Sequence, residues 1–258
     1  MKRTLITPDI AAFPEELRPV FSGAAVYDSS SSPQARVYFI DKDGGYYLKT
    51  AEKGELAREA ELTRYFHGKG LSANVLAYVS AERDFMLTER VRGEDLTFAK
   101  YLAEPKKLCD ISAALLRELH ETEFSTCPVQ NHTARYLATV ERNYRAGLCD
   151  LSYAPEFATA EEAYSLVREN AHLLKNEVLL HGDYCLPNVM LDDWRFTGFI
   201  DIGNGGVGDR HVDLFWGAWT LGFNLKTDEY RARFFDAYGR DKISEDMLRV
   251  IAAAEVFG

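Results

Sequence analysis

Residues 181–203 read HGDYCLPNVMLDDWRFTGFIDIG, and the fold turns on this stretch. The apolar run before it, EVLL (177–180), makes a short strand that delivers His181-Gly182-Asp183 into a loop. Asn188 follows five positions after Asp183. A second apolar strand, TGFI (197–200), leads to Asp201-Ile202-Gly203, where the glycine lets the backbone turn sharply. Taken alone, HGD is a turn and Asp201 a helix cap. Taken together, these are the groups that phosphoryl transfer requires. One Asp accepts the proton of an attacking hydroxyl, while an Asn and a second Asp hold Mg²⁺ on nucleotide phosphates.

The chain upstream offers an independent check. AAVYD (24–28), ARVYFID (35–41) and GGYYLKT (44–50) alternate apolar and polar residues and predict three strands in hairpins. Residues 54–70 switch to helical period, and ANVLAYVS (73–80) and DFMLTERV (84–91) predict two more strands. Lys49 closes the strand YYLK, where a phosphate-binding lysine belongs, and such a lysine needs a carboxylate partner. The following helix, ELAREAELTRYF (55–66), offers Glu55, Glu59 and Glu61. At about 100° per residue, Leu56, Leu62 and Phe66 lie within about 60° of Glu59, so Glu59 points inward and Glu61 outward. A carboxylate on a buried stripe is costly unless paired, and Lys49 is its partner.

Downstream of Gly93 the pattern turns helical. Leu108, Ile111, Leu115 and Leu119 recur at helical spacing, and 133–147 and 160–175 follow suit. A β-rich block (EVLLHGDY, NVMLDD, RFTGFIDIG) interrupts before helical stretches near 210–223, 227–239 and 244–256. The fold class expected is α+β and two-lobed: a small β-rich nucleotide-binding lobe over 1–92 and a larger, mainly helical lobe over 93–258. A hinge falls near Glu89 to Gly93.

Composition narrows the partners. With 30 Lys+Arg against 40 Asp+Glu the net charge is −10, which argues against nucleic acid and suits a cationic ligand. Hydrophobic residues at 47% and charged ones at 27% exclude a disordered chain. Cys109, Cys127, Cys149 and Cys185 are dispersed, which predicts reduced thiols rather than a zinc site. The start lacks the apolar core of a signal peptide, and no run reaches the roughly eighteen apolar residues of a membrane span. The sequence therefore predicts a cytoplasmic protein with no membrane partner.

HGDYCLPNVML followed by GFIDIGNGGVGDRHVDL resembles the aminoglycoside 3′-phosphotransferase family, a branch of the protein-kinase-like fold. The protein-kinase catalytic loop has the same Asp-to-Asn interval. LRELHETEFSTCP (116–128), RNYRAGL (142–148) and the run to Glu255 and Phe257 extend the resemblance over nearly the whole chain. By that resemblance Asp183 is the catalytic base, Asn188 and Asp201 are Mg²⁺ ligands, and Lys49 with Glu59 forms the ion pair over the phosphates. SSSSPQARVY takes the place of the nucleotide-positioning loop, with Ser32 its best-placed hydroxyl. The backbone of Glu89, Arg90 and Val91 would meet the adenine of ATP, with GTP the other candidate donor. His181 would support the loop.

On the acceptor side the resemblance implies a polycationic aminoglycoside held by Asp150, Glu156 and Glu255. Three departures stand out. Asn204 replaces an Arg, FWGAWTLGFN (215–224) carries no acid, and the loop after Gly147 keeps only Asp150 and Glu156 before the pair at 161–162. A narrower drug range or weaker acceptor binding is the expectation. Asp209 and Asp213 read as braces for the catalytic loop, and Trp216 and Trp219 as core or pocket wall. The function implied is ATP-dependent transfer to an aminoglycoside 3′-hydroxyl. A kinase of a choline-, homoserine- or sugar-amine-like metabolite is the alternative within the fold, and a nucleotide binder without turnover the alternative outside it.

Overall fold

The computed structural model of the chain describes residues 3–31 and 35–258. In chain order the elements are β1 (Thr4–Ile6), β2 (Ala25–Asp28), β3 (Arg36–Asp41), β4 (Tyr46–Glu52), α1 (Ala57–Gly68), β5 (Val75–Ser80), β6 (Arg83–Glu89) and β7 (Glu94–Asp95). Then come α2 (Ala99–Leu102), α3 (Pro105–Glu121), α4 (His132–Arg145), α5 (Ala160–Asn170), β8 (Val178–Leu180), β9 (Val189–Asp192) and β10 (Arg195–Phe199). The chain closes with β11 (Gly206–Gly208), α6 (His211–Leu225), α7 (Arg231–Tyr238) and α8 (Glu245–Glu255). The fold is α+β and divides into two compact units, Met1–Asp95 with Val189–Gly203, and Leu96–Asn188 with Asn204–Gly258.

The first unit is built on an antiparallel sheet in the order β1-β2-β3-β4-β6-β5. Strand side chains alternate between faces, so each face collects every second residue. One face sets Val26, Tyr38, Ile40, Leu48, Phe85 and Leu87 against Phe13, Leu17 and Phe21 from the short 3₁₀ turns after β1. The other sets Ala51, Val75 and Met86 against Leu56 and Ala60 at the start of α1. Lys49 shares the parity of Ala51 and pairs in register with Met86, so it faces α1.

The β-rich block does not stay together. β9 and β10 pair as a hairpin and β9 then pairs with β7, matching Glu94 to Leu191 and Asp95 to Met190. Phe199 N–H also donates to Leu71 O at 2.7 Å. Residues 189–203 therefore belong with the first unit, whereas the sequence division placed everything after residue 92 in the second lobe. Gly93 makes the pairing possible. It sits at φ +88, and a Cβ there would overlap the backbone of Leu191.

In the second unit Leu108, Leu115 and Leu119 bury the apolar stripe of α3, as the spacing predicts. β8 pairs with β11, and Val178, Leu180, Val212 and Ile251 share one core cluster. The helical run at 160–175 stops at Asn170 and gives way to a 3₁₀ turn, and α7 begins only at Arg231. Side-chain caps fix two N-termini: Thr159 accepts from Glu162 N–H and Ser244 from Met247 N–H. Among the described residues no helix is long and apolar enough to cross a membrane.

Candidate active site

In the first unit three charges converge on the α1 face of β4. Lys49 Nζ lies 2.9 and 2.8 Å from the two oxygens of Glu59 and 2.6 Å from Asp201 Oδ1. Glu59 is buried and Glu61 exposed, as the helical face arithmetic requires. Burial alone would lower the Lys49 pKa, but the facing charges of Glu59 and Asp201 outweigh it and hold it above 10.5. Burial in turn raises Glu59 above the usual carboxylate range, with Lys49 opposing. Asp201 is half exposed and takes a left-handed conformation at φ +61, a region tolerated by Asp more than most residues. The segment after it stays close to α1. Arg58 donates to Gly203 O, and a Cβ on Gly203 would come within 3.2 Å of Glu59.

In the second unit β8 delivers His181, Gly182 and Asp183 to their loop. Asn188 turns its amide nitrogen onto Asp183, 2.9 Å from Oδ2 and 3.0 Å from the backbone oxygen. The Asp183 carboxylate is thus fixed rather than free to rotate. Asp213, with no solvent exposure, accepts the N–H groups of both His181 and Gly182 at 2.8 Å. Gly182 sits at φ +82, where a Cβ would overlap the backbone of Asn204. His181 is fully buried, and the Tyr184 hydroxyl donates to Ser112 O at 2.8 Å beneath the loop. Asp209 accepts from Lys175 N–H and from His211. Both acids therefore hold backbone in place.

The remaining candidates separate by environment. Ser32 lies outside the described residues. Along the hinge, Glu89 N–H donates to Asn74 O and Arg90 N–H to Gly45 O, so these two groups serve the fold, and Val91 is buried. Asp150 is exposed and caps a short turn through Ser152, whose hydroxyl and N–H bonds hold its pKa below 3.8. Glu156 is exposed as well. Glu255 differs. It is buried, accepts from Tyr136 at 2.8 Å, and burial pushes it up to about 7 against the pull of bonds from Tyr136 and Trp216.

Two supporting features escape sequence reading. Asp84, fully buried at the end of the β5–β6 hairpin, accepts from Gly54 N–H, Leu56 N–H, Tyr78 and Ser80, all within 3.0 Å. Burial would raise its pKa, but these bonds prevail and lower it. It anchors the entrance to α1, the helix that carries Glu59. In the second unit, Asp213 meets His120 Nε2 at 3.2 Å, and His120 Nδ1 lies 2.8 Å from the Tyr238 hydroxyl. Tyr238 accepts in turn from Arg210, which pairs with Glu177. These partners lie more than ninety residues apart in the case of His120 and Asp213, which no local motif reveals.

A sequence profile described as the phosphotransferase enzyme family matches residues 28–251. A "probable aminoglycoside 3′-phosphotransferase" of Lactococcus lactis subsp. lactis (strain IL1403) is 51% identical over 253 residues, 97% of each chain. An aminoglycoside 3′-phosphotransferase of Niallia circulans is 32% identical over 67% of each. Among solved structures, an aminoglycoside-3′-phosphotransferase of type VIII superposes with a TM-score of 0.74 at 25% identity, covering 94% of this chain and 97% of that one. The aminoglycoside phosphotransferase APH(3″)-Id of Streptomyces rimosus, in complex with ADP and streptomycin, shares the fold with a TM-score of 0.68 at 22% identity, covering 98% and 100%.

Proposed function

Since this chain belongs to the phosphotransferase enzyme family, we propose that it transfers the γ-phosphoryl group of ATP to the 3′-hydroxyl of an aminoglycoside. The observation that carries this reading is the likeness, over nearly the whole chain, to a relative described as a probable aminoglycoside 3′-phosphotransferase. The geometry of each unit supports it. In this reading the acceptor oxygen forms the new bond to phosphorus, the bond to the β-phosphate oxygen breaks, and ADP leaves. Asp183, held by Asn188, accepts the hydroxyl proton. Lys49, kept charged by its two carboxylate neighbours, steadies the phosphates. Most of the acceleration comes from positioning and from charge stabilisation.

Magnesium suits the donors assigned to it. Asn188 and Asp201 offer oxygen, the hard ligand this cation prefers. Among the described residues no three His, Cys, Asp or Glu gather into a metal cluster. Magnesium commonly takes one or two protein oxygens and fills its shell with phosphate and water. Bound there, it would neutralise charge on the phosphates. Asp150 and Glu156 remain the candidate exposed partners for the acceptor's ammonium groups. The test is a nucleotide-release assay with a small acceptor panel. Release of ADP with aminoglycosides, and not with choline, homoserine or a simple amino sugar, supports the proposal; the reverse pattern overturns it.

A further inference from the structure

The acid-free stretch FWGAWTLGFN is not featureless. Trp216, Trp219 and Phe223 fall within about 60° of one another on α6. Their rings form a continuous row. Trp216 and Trp219 centroids are 5.5 Å apart, Trp219 and Phe223 stack at 5.0 Å with their planes 10° apart, and Tyr153 lies 5.5 and 5.7 Å from the two tryptophans. Phe223 is 56% exposed, although a large apolar ring normally seeks cover.

Three observations show what this row is fitted to receive. First, it carries an ammonium already: Lys226 Nζ sits 4.1 Å from the Phe223 ring centroid. Second, carboxylates lie beside it. Asp150 caps the short turn that carries Tyr153, and Glu255 takes hydrogen bonds from Tyr136 and Trp216. Third, the same helix braces the catalytic loop, since Thr220 Oγ1 accepts Leu186 N–H at 3.2 Å and Asp213 holds His181 and Gly182. Aromatic faces bordered by negative charge attract cations and the C–H faces of saturated rings.

We propose that Tyr153, Trp216, Trp219 and Phe223 form a shelf on which a cationic aminoglycoside ring stacks, held by the ring faces. This rests on the reading of the protein as an aminoglycoside phosphotransferase. The shelf is a specificity element and takes no part in proton or phosphoryl transfer. It favours acceptors that present an ammonium on a rigid saturated ring over flexible polyamines.

The test measures steady-state kinetics of the full chain with ATP and kanamycin A. Phe223→Ala, at an exposed position, removes the outer ring without opening the core; it should raise the kanamycin KM about tenfold and leave the ATP KM within about twofold. Phe223→Tyr keeps the ring face and should restore the wild-type acceptor KM. Trp219→Leu, checked for folding by its melting curve, should behave like Phe223→Ala, which decides the matter alone if Trp219→Leu melts early. Active wild-type enzyme with an unchanged kanamycin KM in Phe223→Ala overturns the shelf and leaves the function standing. A wild-type protein that phosphorylates no aminoglycoside overturns both, and the two failures are told apart by that control.

Discussion

Asp213 Oδ1 lies 2.8 Å from the backbone nitrogen of Gly182, and its second oxygen takes the N–H of His181 at the same distance. A carboxylate with no exposure is thereby spent on holding the loop that ends in Asp183. Burial would raise its pKa, but the bond and charge of His120, with the loop N–H groups, lower it below 3.8. The clamp contributes stability above that pH and loses it as acid is added, because the unfolded chain takes up the proton more readily than the folded one.

Asp213→Asn places an amide where two N–H donors point. We expect a loss of about 3 kcal/mol in unfolding free energy, the scale for breaking a buried charged network. The kcat should fall at least about tenfold as the loop loosens. Denaturant titration and initial rates measure both, and a variant matching the wild type in both would contradict the clamp.

Asp183→Asn preserves shape while removing the carboxylate proposed to accept the proton. The kcat should fall at least about a hundredfold, with ATP affinity little changed. Near-wild-type turnover would strip Asp183 of the role.

Lys49→Ala and Glu59→Ala should each raise the ATP KM, since one removes the ammonium and the other its buried partner. Glu61→Ala, on the exposed side of the same helix, should change it by less than about twofold. Equal effects of Glu59→Ala and Glu61→Ala would contradict the pairing as a functional one.

Glu255 gives a pH signature of opposite sign to Asp213. Its folded-state pKa, raised to about 7 from 4.5, means that the folded protein binds the proton more tightly than the unfolded chain. Stability therefore falls as pH rises between those values. Glu255→Gln mimics the protonated form and should remove the effect. Between about pH 5 and about pH 8 the wild type should lose up to about 3 kcal/mol relative to the variant. Parallel melting curves across that range would contradict the assignment.

Much of this arrangement is legible in the sequence because it is local. The order of Asp183, Asn188 and Asp201 lies within one short run, and the Lys49–Glu59 contact follows from strand and helix periodicity ten residues apart. What escapes is non-local. Assigning β9 and β10 to the first unit depends on Asp95 pairing with Met190, and the Asp84 anchor on backbone donors from a different turn. The enclosure of Glu255 escapes as well, because only packing across 119 residues brings the Tyr136 hydroxyl onto it. The aromatic row on α6 has helical spacing that fits a core equally well, and the exposure of Phe223 distinguishes the two.

Transfer to the 3′-hydroxyl is read out with a pair of matched acceptors. Wild-type protein, ATP and magnesium are incubated with kanamycin A or with its 3′-deoxy analogue, and phosphorylated product is followed by mass spectrometry. One added phosphate on the first compound and none on the second is the expected result. Equal phosphorylation of both would place the reaction at another hydroxyl and contradict it.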